Sequence, residues 1–269
     1  MTDGTKGNRR RCLFCDGKLS GKRAKEHVIP QWLLAHLQLT EEDLFQYVAR
    51  SADRSVIRKR VIPNRAFVEG RVCEDCNVGW MRELEESAAP LLKSLIDGVR
   101  TVHALSEEER FLAARWATKT AYVFSSATPL KKPVDRSHLQ SLREHERHLP
   151  AGIGVFAQQH VPTGKASYFQ ENTWPHFSES DPGTQSVART SDAGYKIALQ
   201  FDRLILLIAY WPPQLSTFAL VVGLHVPLWP ILPFYLGYYA LTDVPKPYDS
   251  RLLLERFGST LAVCHRSSG

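Results

Sequence analysis

The stretch VCEDCNVGWMRELEESAAPLLKSLIDG, residues 72–98, joins a pair of cysteines directly to a helix. Cys73 and Cys76 make a C-x-x-C knuckle. From Asn77 onward Trp80, Leu84, Ala88, Leu91, Leu92 and Leu95 recur at helical spacing, and Gly98 is placed to stop the helix. A second knuckle, CLFC at 12–15, precedes the first by a loop of 57 residues between Cys15 and Cys73. Two such knuckles offer four thiolates, two from each, to a tetrahedral Zn²⁺. A redox dithiol is another use of C-x-x-C, but it needs a thioredoxin-like context that the chain lacks. Chance pairing is a third reading. The spacing predicts a structural zinc on Cys12, Cys15, Cys73 and Cys76, with an insertion inside the long loop. Cys264 has no partner pattern and is read as a bystander.

Working outward, Asp16-Gly17 is a turn signal, and Lys18–Pro30 reads as short strands with His27 near a strand end. Gln31–Val48 has a short helical period in QWLLAHL, and Ser51–Arg65 is a basic loop or ribbon. Ser106 with Glu109 forms a capping box for a helix that runs to about Ser126. That helix places Arg115, Trp116 and Lys119 on one face, as an amphipathic helix with an aromatic anchor does. Arg136–His148 reads as a third helix. From Gly152 the runs GIGVFA, ASYFQ, YKIALQF, LILLIAYW and FALVVGLHV alternate with turn residues, which predicts an antiparallel sheet region. The fold class expected is α+β: a small zinc-stabilised module over residues 1–98, then an α+β domain of unassigned role over 99–269.

The chain has 269 residues and a net charge of +6, and the excess is not spread evenly. Residues 1–72 hold 15 Lys+Arg against 8 Asp+Glu, whereas residues 73–269 hold 19 against 20. A segment this basic suits a polyanion, with nucleic acid the leading candidate, or else a solubilising face. Lys22, Arg23, Lys25, Arg58 and Arg60 are the candidate phosphate contacts. Composition rules out wholesale disorder and a rod, and the polar start MTDGTKGNRRRC carries no apolar signal core. The uncharged stretch Leu204–Thr242 is broken by five prolines, so it reads as buried strands rather than a membrane span of about 18 apolar residues. A cytoplasmic protein is expected.

Between the knuckles stands KEHVIPQWL, with Glu26 and His27 adjacent, and Asn77 follows the second knuckle directly. Neighbouring side chains on a strand point opposite ways, so Glu26 can hold a hard cation while His27 faces a reacting centre. Asn77 offers a carbonyl oxygen suited to Mg²⁺. Taken singly, the Glu-His pair also fits a surface pair, and the asparagine fits a cap. The combination C-x-x-C, E-H-x-x-P and V-C-x-x-C-N-x-G-W-M resembles the HNH endonucleases, over roughly residues 12–90.

That resemblance implies a ββα-metal core, with His27 as general base and Glu26 and Asn77 as ligands of a catalytic Mg²⁺ or Mn²⁺. The four cysteines match the subset with a separate structural zinc. Two departures stand out. The asparagine that orients the base usually lies closer to the second knuckle, where this chain has Phe67 and Val68, so Asn64 is the nearest candidate. Trp80 and Met81 occupy the place where many relatives carry Lys or His. The implied reaction is phosphodiester hydrolysis in DNA, with RNA left open. It needs a neutral imidazole, so activity is expected to fall in acid. A zinc-stabilised nucleic-acid-binding module without catalysis is the alternative, and a protein-interaction adaptor is a third. No membrane partner is expected, and a homodimer is compatible with the sequence.

Overall fold

The first knuckle is built as a tight turn. Arg11 and Lys18 form an isolated bridge, Cys12 N–H donates to the Gly17 carbonyl at 2.8 Å, and Asp16 takes the left-handed conformation at φ 59°. Aspartate tolerates that region better than most residues. Gly17 lets the backbone pass close to Cys15, since a Cβ there would meet Sγ at 3.1 Å. The computed structural model describes residues 11–19, 24–40, 42–50, 56–128, 134–160, 166–171, 173–178, 181–189, 194–210, 218–221, 226–229 and 262–265.

Strand β1 (Ala24–His27) ends at His27, and Pro30 then starts the short helix α1 (Gln31–His36). The helical reading of Gln31–Val48 holds only that far, because Gln38 turns left-handed at φ 55°. Asp43 N–H then donates to Thr40 Oγ1 at 3.1 Å, closing a turn. Leu44–Arg50 follows as β2 and pairs with β3 (Val56–Pro63), so the basic insertion is a ribbon. Strand β4 (Val68–Val72) returns antiparallel to β1, with Glu26 opposite Glu69 and His27 opposite Val68. The second knuckle follows as a helical turn, Glu74–Cys76, then a π-helical turn, Asn77–Met81, and then α2 (Arg82–Ile96). Gly79 kinks this passage at φ −90°, ψ −119°. Strand, strand and helix therefore follow one another around the knuckles.

The chain divides into two compact units, Met1–Pro90 with Tyr122–Leu149, and Leu91–Ala121 with Pro150–Gly269. Helix α3 (Glu107–Ala127) gives its last turns to the first unit. There Phe124 meets Phe67 edge-on at 5.5 Å, and Arg71 Nη2 donates to the Ser126 carbonyl at 2.9 Å. Helix α4 (Arg136–Glu144) is capped by Asp135, whose carboxylate accepts from Ser137 N–H at 2.8 Å. It stops short of the expected His148, because His145 is extended at φ −114°, ψ 100°. Arg136 donates to the Cys12 carbonyl at 3.3 Å and ion-pairs with Asp16, which braces the first knuckle from behind.

In the second unit α2 ends at Gly98, which is left-handed at φ 72°; a Cβ there would lie 2.4 Å from Arg203 Nη1. The capping box forms as expected, with Ser106 N–H to Glu109 Oε2 at 3.0 Å and Glu109 N–H to Ser106 Oγ at 3.2 Å. The main sheet has the order β12 (Val226–Trp229), β5 (Ile153–Gln159), β10 (Leu204–Tyr210), β9 (Tyr195–Phe201), β6 (Ala166–Glu171), with every pairing antiparallel. Strand β10 is nearly all buried, as its apolar run LILLIA requires, and β9 is wholly buried although it carries Lys196 and Gln200. Trp116, from the face read as an aromatic anchor, is buried 5.8 Å from Phe201, and Phe111 packs on Trp229.

A second sheet has the order β11 (Phe218–Val221), β13 (Ala262–His265), β7 (Thr173–Ser178), β8 (Asp181–Arg189), and its β13–β7 pairing is parallel. Cys264 lies on β13. The uncharged stretch from Leu204 contributes β10, β11 and β12. Among the described residues no helix is long and apolar enough to cross a membrane.

Glu109 is also gripped by Arg100 through both carboxylate oxygens, at 2.5 and 2.8 Å. Arg100, then the Ser106 N–H, hold the Glu109 carboxyl at about 2, down from its ordinary 4.5. A carboxyl depressed in this way stabilises the fold above its unfolded pKa, and the contribution fades as pH falls from about 4.5 toward 2. Urea unfolding at pH 7, 5 and 3 should show a smaller acid-induced loss for Glu109→Gln than for the parent chain.

Candidate functional site

Four sulfur atoms converge between the knuckles. Cys12, Cys15, Cys73 and Cys76 form no disulfide, and their Sγ atoms all lie within 4.8 Å of one another. Cys15 Sγ and Cys73 Sγ are 3.6 Å apart. Zn–S bonds of about 2.3 Å in a tetrahedron place sulfur atoms about 3.8 Å apart, so the spacing fits. Three backbone N–H groups point at sulfur: Gly17 to Cys15, Cys73 to Cys12 and Cys76 to Cys73, each at 3.4 Å. Such donors favour thiolate, as metal binding requires. The hydrogen bond between Cys12 and Cys76 pulls the Cys12 thiol well below its ordinary pKa, and that same hydrogen bond, followed by burial, pushes the Cys76 thiol upward. The four thiols can hold a metal ion such as zinc, and an all-sulfur tetrahedral set suits that metal. Phe14, fully buried inside the first knuckle, meets Trp80 edge-on at 5.2 Å and so clamps one knuckle to the helix of the other.

Asn77, the residue after Cys76, opens onto a cleft of about 390 Å³. Glu26 from β1 and Asn77 from the π-helical turn both line it, so the structure brings these two expected ligands together. Asn77, Met81, Glu85 and Ala89 recur every four residues along its helical wall, and Trp32 of α1 contributes an aromatic wall. Arg82 and Glu86 stand at the cleft as an exposed ion pair with Nε to Oε1 at 2.6 Å. The Glu26 carboxylate and the Asn77 amide each offer oxygen, the donor type that hard cations accept.

His27 is half-buried at the end of β1 and is not among the cleft-lining residues. Its ring Nε2 lies 3.4 Å from Gln31 Nε2. Asn64 is buried, 6% exposed, and its side-chain amide donates to the Thr40 carbonyl at 2.9 Å. The side chain beside the His27 ring is thus Gln31, which follows it by four residues in EHVIPQ. The turn at Pro30 brings the two together. Glu69, opposite Glu26, is 4% exposed and is closed by Arg71, whose Nε and Nη2 each donate to it at 2.9 Å.

Of the candidate phosphate contacts, Lys25 lies on β1, and Arg58 and Arg60 lie on β3. Lys22 and Arg23 fall outside the described residues. The sequence marks Arg71 only as one more basic residue of the insertion and does not mark Gln31 or Glu85. The four-residue spacing from Asn77 is the available signal for Glu85, and nothing local singles out Gln31. Compared with protein-family models, with curated proteins and with solved structures, the chain finds no match in any of the three.

Two outcomes are expected. Protein purified without chelator should carry one zinc per chain by elemental analysis, and Cys76→Ser should lose it together with cooperative unfolding of the parent kind. Arg71→Ala strands the Glu69 carboxylate in a buried setting. Breaking a buried pair from one side costs about 3 kcal/mol at its lower end. Glu69→Gln added to Arg71→Ala should restore part of that loss in a urea melt.

Proposed function

We propose that the chain is a metal-dependent phosphodiesterase of the HNH kind, acting on DNA. One observation carries the reading: Glu26 and Asn77, the latter directly after Cys76 in the chain, line a single cleft. His27 is the next residue along the strand from Glu26. The order of β1, β4 and helix fits the ββα arrangement that the resemblance implies.

The four cysteines serve as a structural zinc site. Glu26 and Asn77 hold a divalent ion, Mg²⁺ or Mn²⁺, which when bound supplies positive charge for the phosphate oxygens and the leaving oxygen. His27 accepts the proton of the attacking water as a neutral imidazole. Gln31 orients that ring. Turned end for end, its isosteric amide presents oxygen to an Nε2–H and leaves the Nδ1 lone pair for the water. Arg71 neutralises Glu69, so the carboxylate facing Glu26 across the strand pair adds no uncompensated charge beside it.

Supercoiled plasmid incubated with protein and Mg²⁺ or Mn²⁺ should be nicked or cut, and His27→Ala should lower the rate by about 10²- to 10³-fold. Gln31→Glu, which favours the imidazolium, should move the acid limb of the pH–rate profile upward. Asn64 favours a second reading, nucleic-acid binding without catalysis, because its amide is committed to Thr40 rather than to His27. Plasmid binding with no cleavage in either metal would select that reading.

A further inference from the structure

We infer that the indole N–H of Trp80 is the fourth hydrogen-bond donor of the cysteine cluster, that it donates to the Cys76 thiolate of the metal-loaded site, and that it sets how tightly zinc is held. Trp80 is thus a positioning residue of the metal centre. The inference rests on the structural-zinc part of the function proposed above and on none of its catalytic part.

Four thiolates on one Zn²⁺ leave the centre with net negative charge, and charge held away from water needs hydrogen-bond donors. Cys15 and Cys73 are half-exposed, and each also accepts from a backbone N–H, that of Gly17 and that of Cys76. Cys12 is fully buried and accepts from the Cys73 N–H. Cys76, 2% exposed, is nearly as closed to water as Cys12. Yet among the described residues the backbone donors reach Cys12, Cys15 and Cys73 and leave its sulfur out. A buried thiolate in that position calls for a side-chain donor.

Trp80 meets that need by its place in the chain and by its packing. It follows Cys76 by four residues, in the π-helical turn, and residues four apart lie on one side of a helix. Its ring meets the fully buried Phe14 edge-on at 5.2 Å, and Phe14 stands between Cys12 and Cys15 in the first knuckle. Val78 and Met81 line the cleft, whereas Trp80 between them does not. The orientation of the ring says most. Trp80 is half-exposed as a residue, yet its indole nitrogen is sealed from water. A half-exposed tryptophan with no use for its N–H turns that polar edge outward. A hydrogen bond with Cys12, then burial, hold the Cys76 thiol up, and the hydrogen bond from the Trp80 indole opposes both by favouring thiolate.

The test reads the metal, not turnover. Full-length protein loaded with ¹¹³Cd in place of zinc should show a proton–¹¹³Cd correlation to a tryptophan indole proton, because coupling passes through an N–H···S–metal bridge; this measurement needs no variant to fold. Trp80→Phe keeps an aromatic ring against Phe14 and removes the donor. In competition with a chelator it should hold zinc about 10- to 100-fold more weakly than the parent, the usual effect of removing a partner of a metal ligand. In Co²⁺-loaded protein the same substitution should move the sulfur-to-metal charge-transfer band to longer wavelength, because a thiolate without its donor gives up an electron more readily. A ring that only packs on Phe14 would leave that band in place.

Metal-loaded protein with no correlation between ¹¹³Cd and an indole proton would overturn the assignment. So would Trp80→Phe with parental zinc affinity and an unmoved Co²⁺ band. A parent chain that binds neither zinc, Cd²⁺ nor Co²⁺ would overturn it together with the zinc site, whereas metal bound beside a silent indole would sink the role of Trp80 alone. Plasmid cleavage bears on neither result, so the catalytic reading stands or falls separately.

Discussion

Four thiols drawn within 4.8 Å of one another are the constraint on which the first unit depends. Closing a loop of 57 residues between the knuckles costs chain entropy, about 3.6 kcal/mol beyond a constant on a (3/2)RT ln n scale. Binding of zinc to a four-ligand structural site is worth about 10–16 kcal/mol. A metal held there would more than offset the closure. Such a margin would let the loop hold the β2–β3 ribbon without tearing β1 from β4. The Phe14–Trp80 contact adds apolar closure to the same junction, so the thiol cluster and the aromatic clamp lie at one point of the chain.

Buried polar groups in this unit are committed to architecture. Glu69 answers Arg71, Arg71 reaches the Ser126 carbonyl, and Asn64 serves the Thr40 turn. Arg136 reaches around the first knuckle to Cys12 and Asp16. The residues placed at the cleft, Glu26 and Asn77, are half-exposed instead, as is His27 at the strand end. A site that uses Glu26, Asn77 and His27 as proposed would need that access to water and phosphate. Desolvating all of its polar groups would cost more than a small module could supply.

Much of this was legible because it is local. The knuckle spacing, the Ser106–Glu109 box, the stop at Gly98 and the apolar runs of β5, β9 and β10 each declare themselves within a few residues. The α+β class follows from them. Strand β8 stayed hidden because DPGTQSVAR opens with Asp, Pro and Gly, which read as a turn; a proline is tolerable there because β8 lies at a sheet edge. Leu44–Val48, read within a helical stretch, is instead strand, because a short apolar run fits either state and its pairing with β3 decides. Gln31 beside His27, Arg71 on Ser126 and Arg136 on Cys12 depend on how distant segments meet, which no local pattern encodes. Asn64 was noticed for its distance from the knuckle, yet its amide serves a turn that precedes it by more than twenty residues.

Helices α2 and α3 each begin in one unit and end in the other. The unit that carries the cysteines is therefore written in two separate pieces of the gene. A single crossover that copied the knuckles, the ribbon and the start of α2 into another protein would leave behind Phe124, the Ser126 carbonyl and Arg136. Neither unit is one continuous segment of the chain, and a change in either helix is felt by the cysteine-bearing unit and by the unit of the main sheet alike.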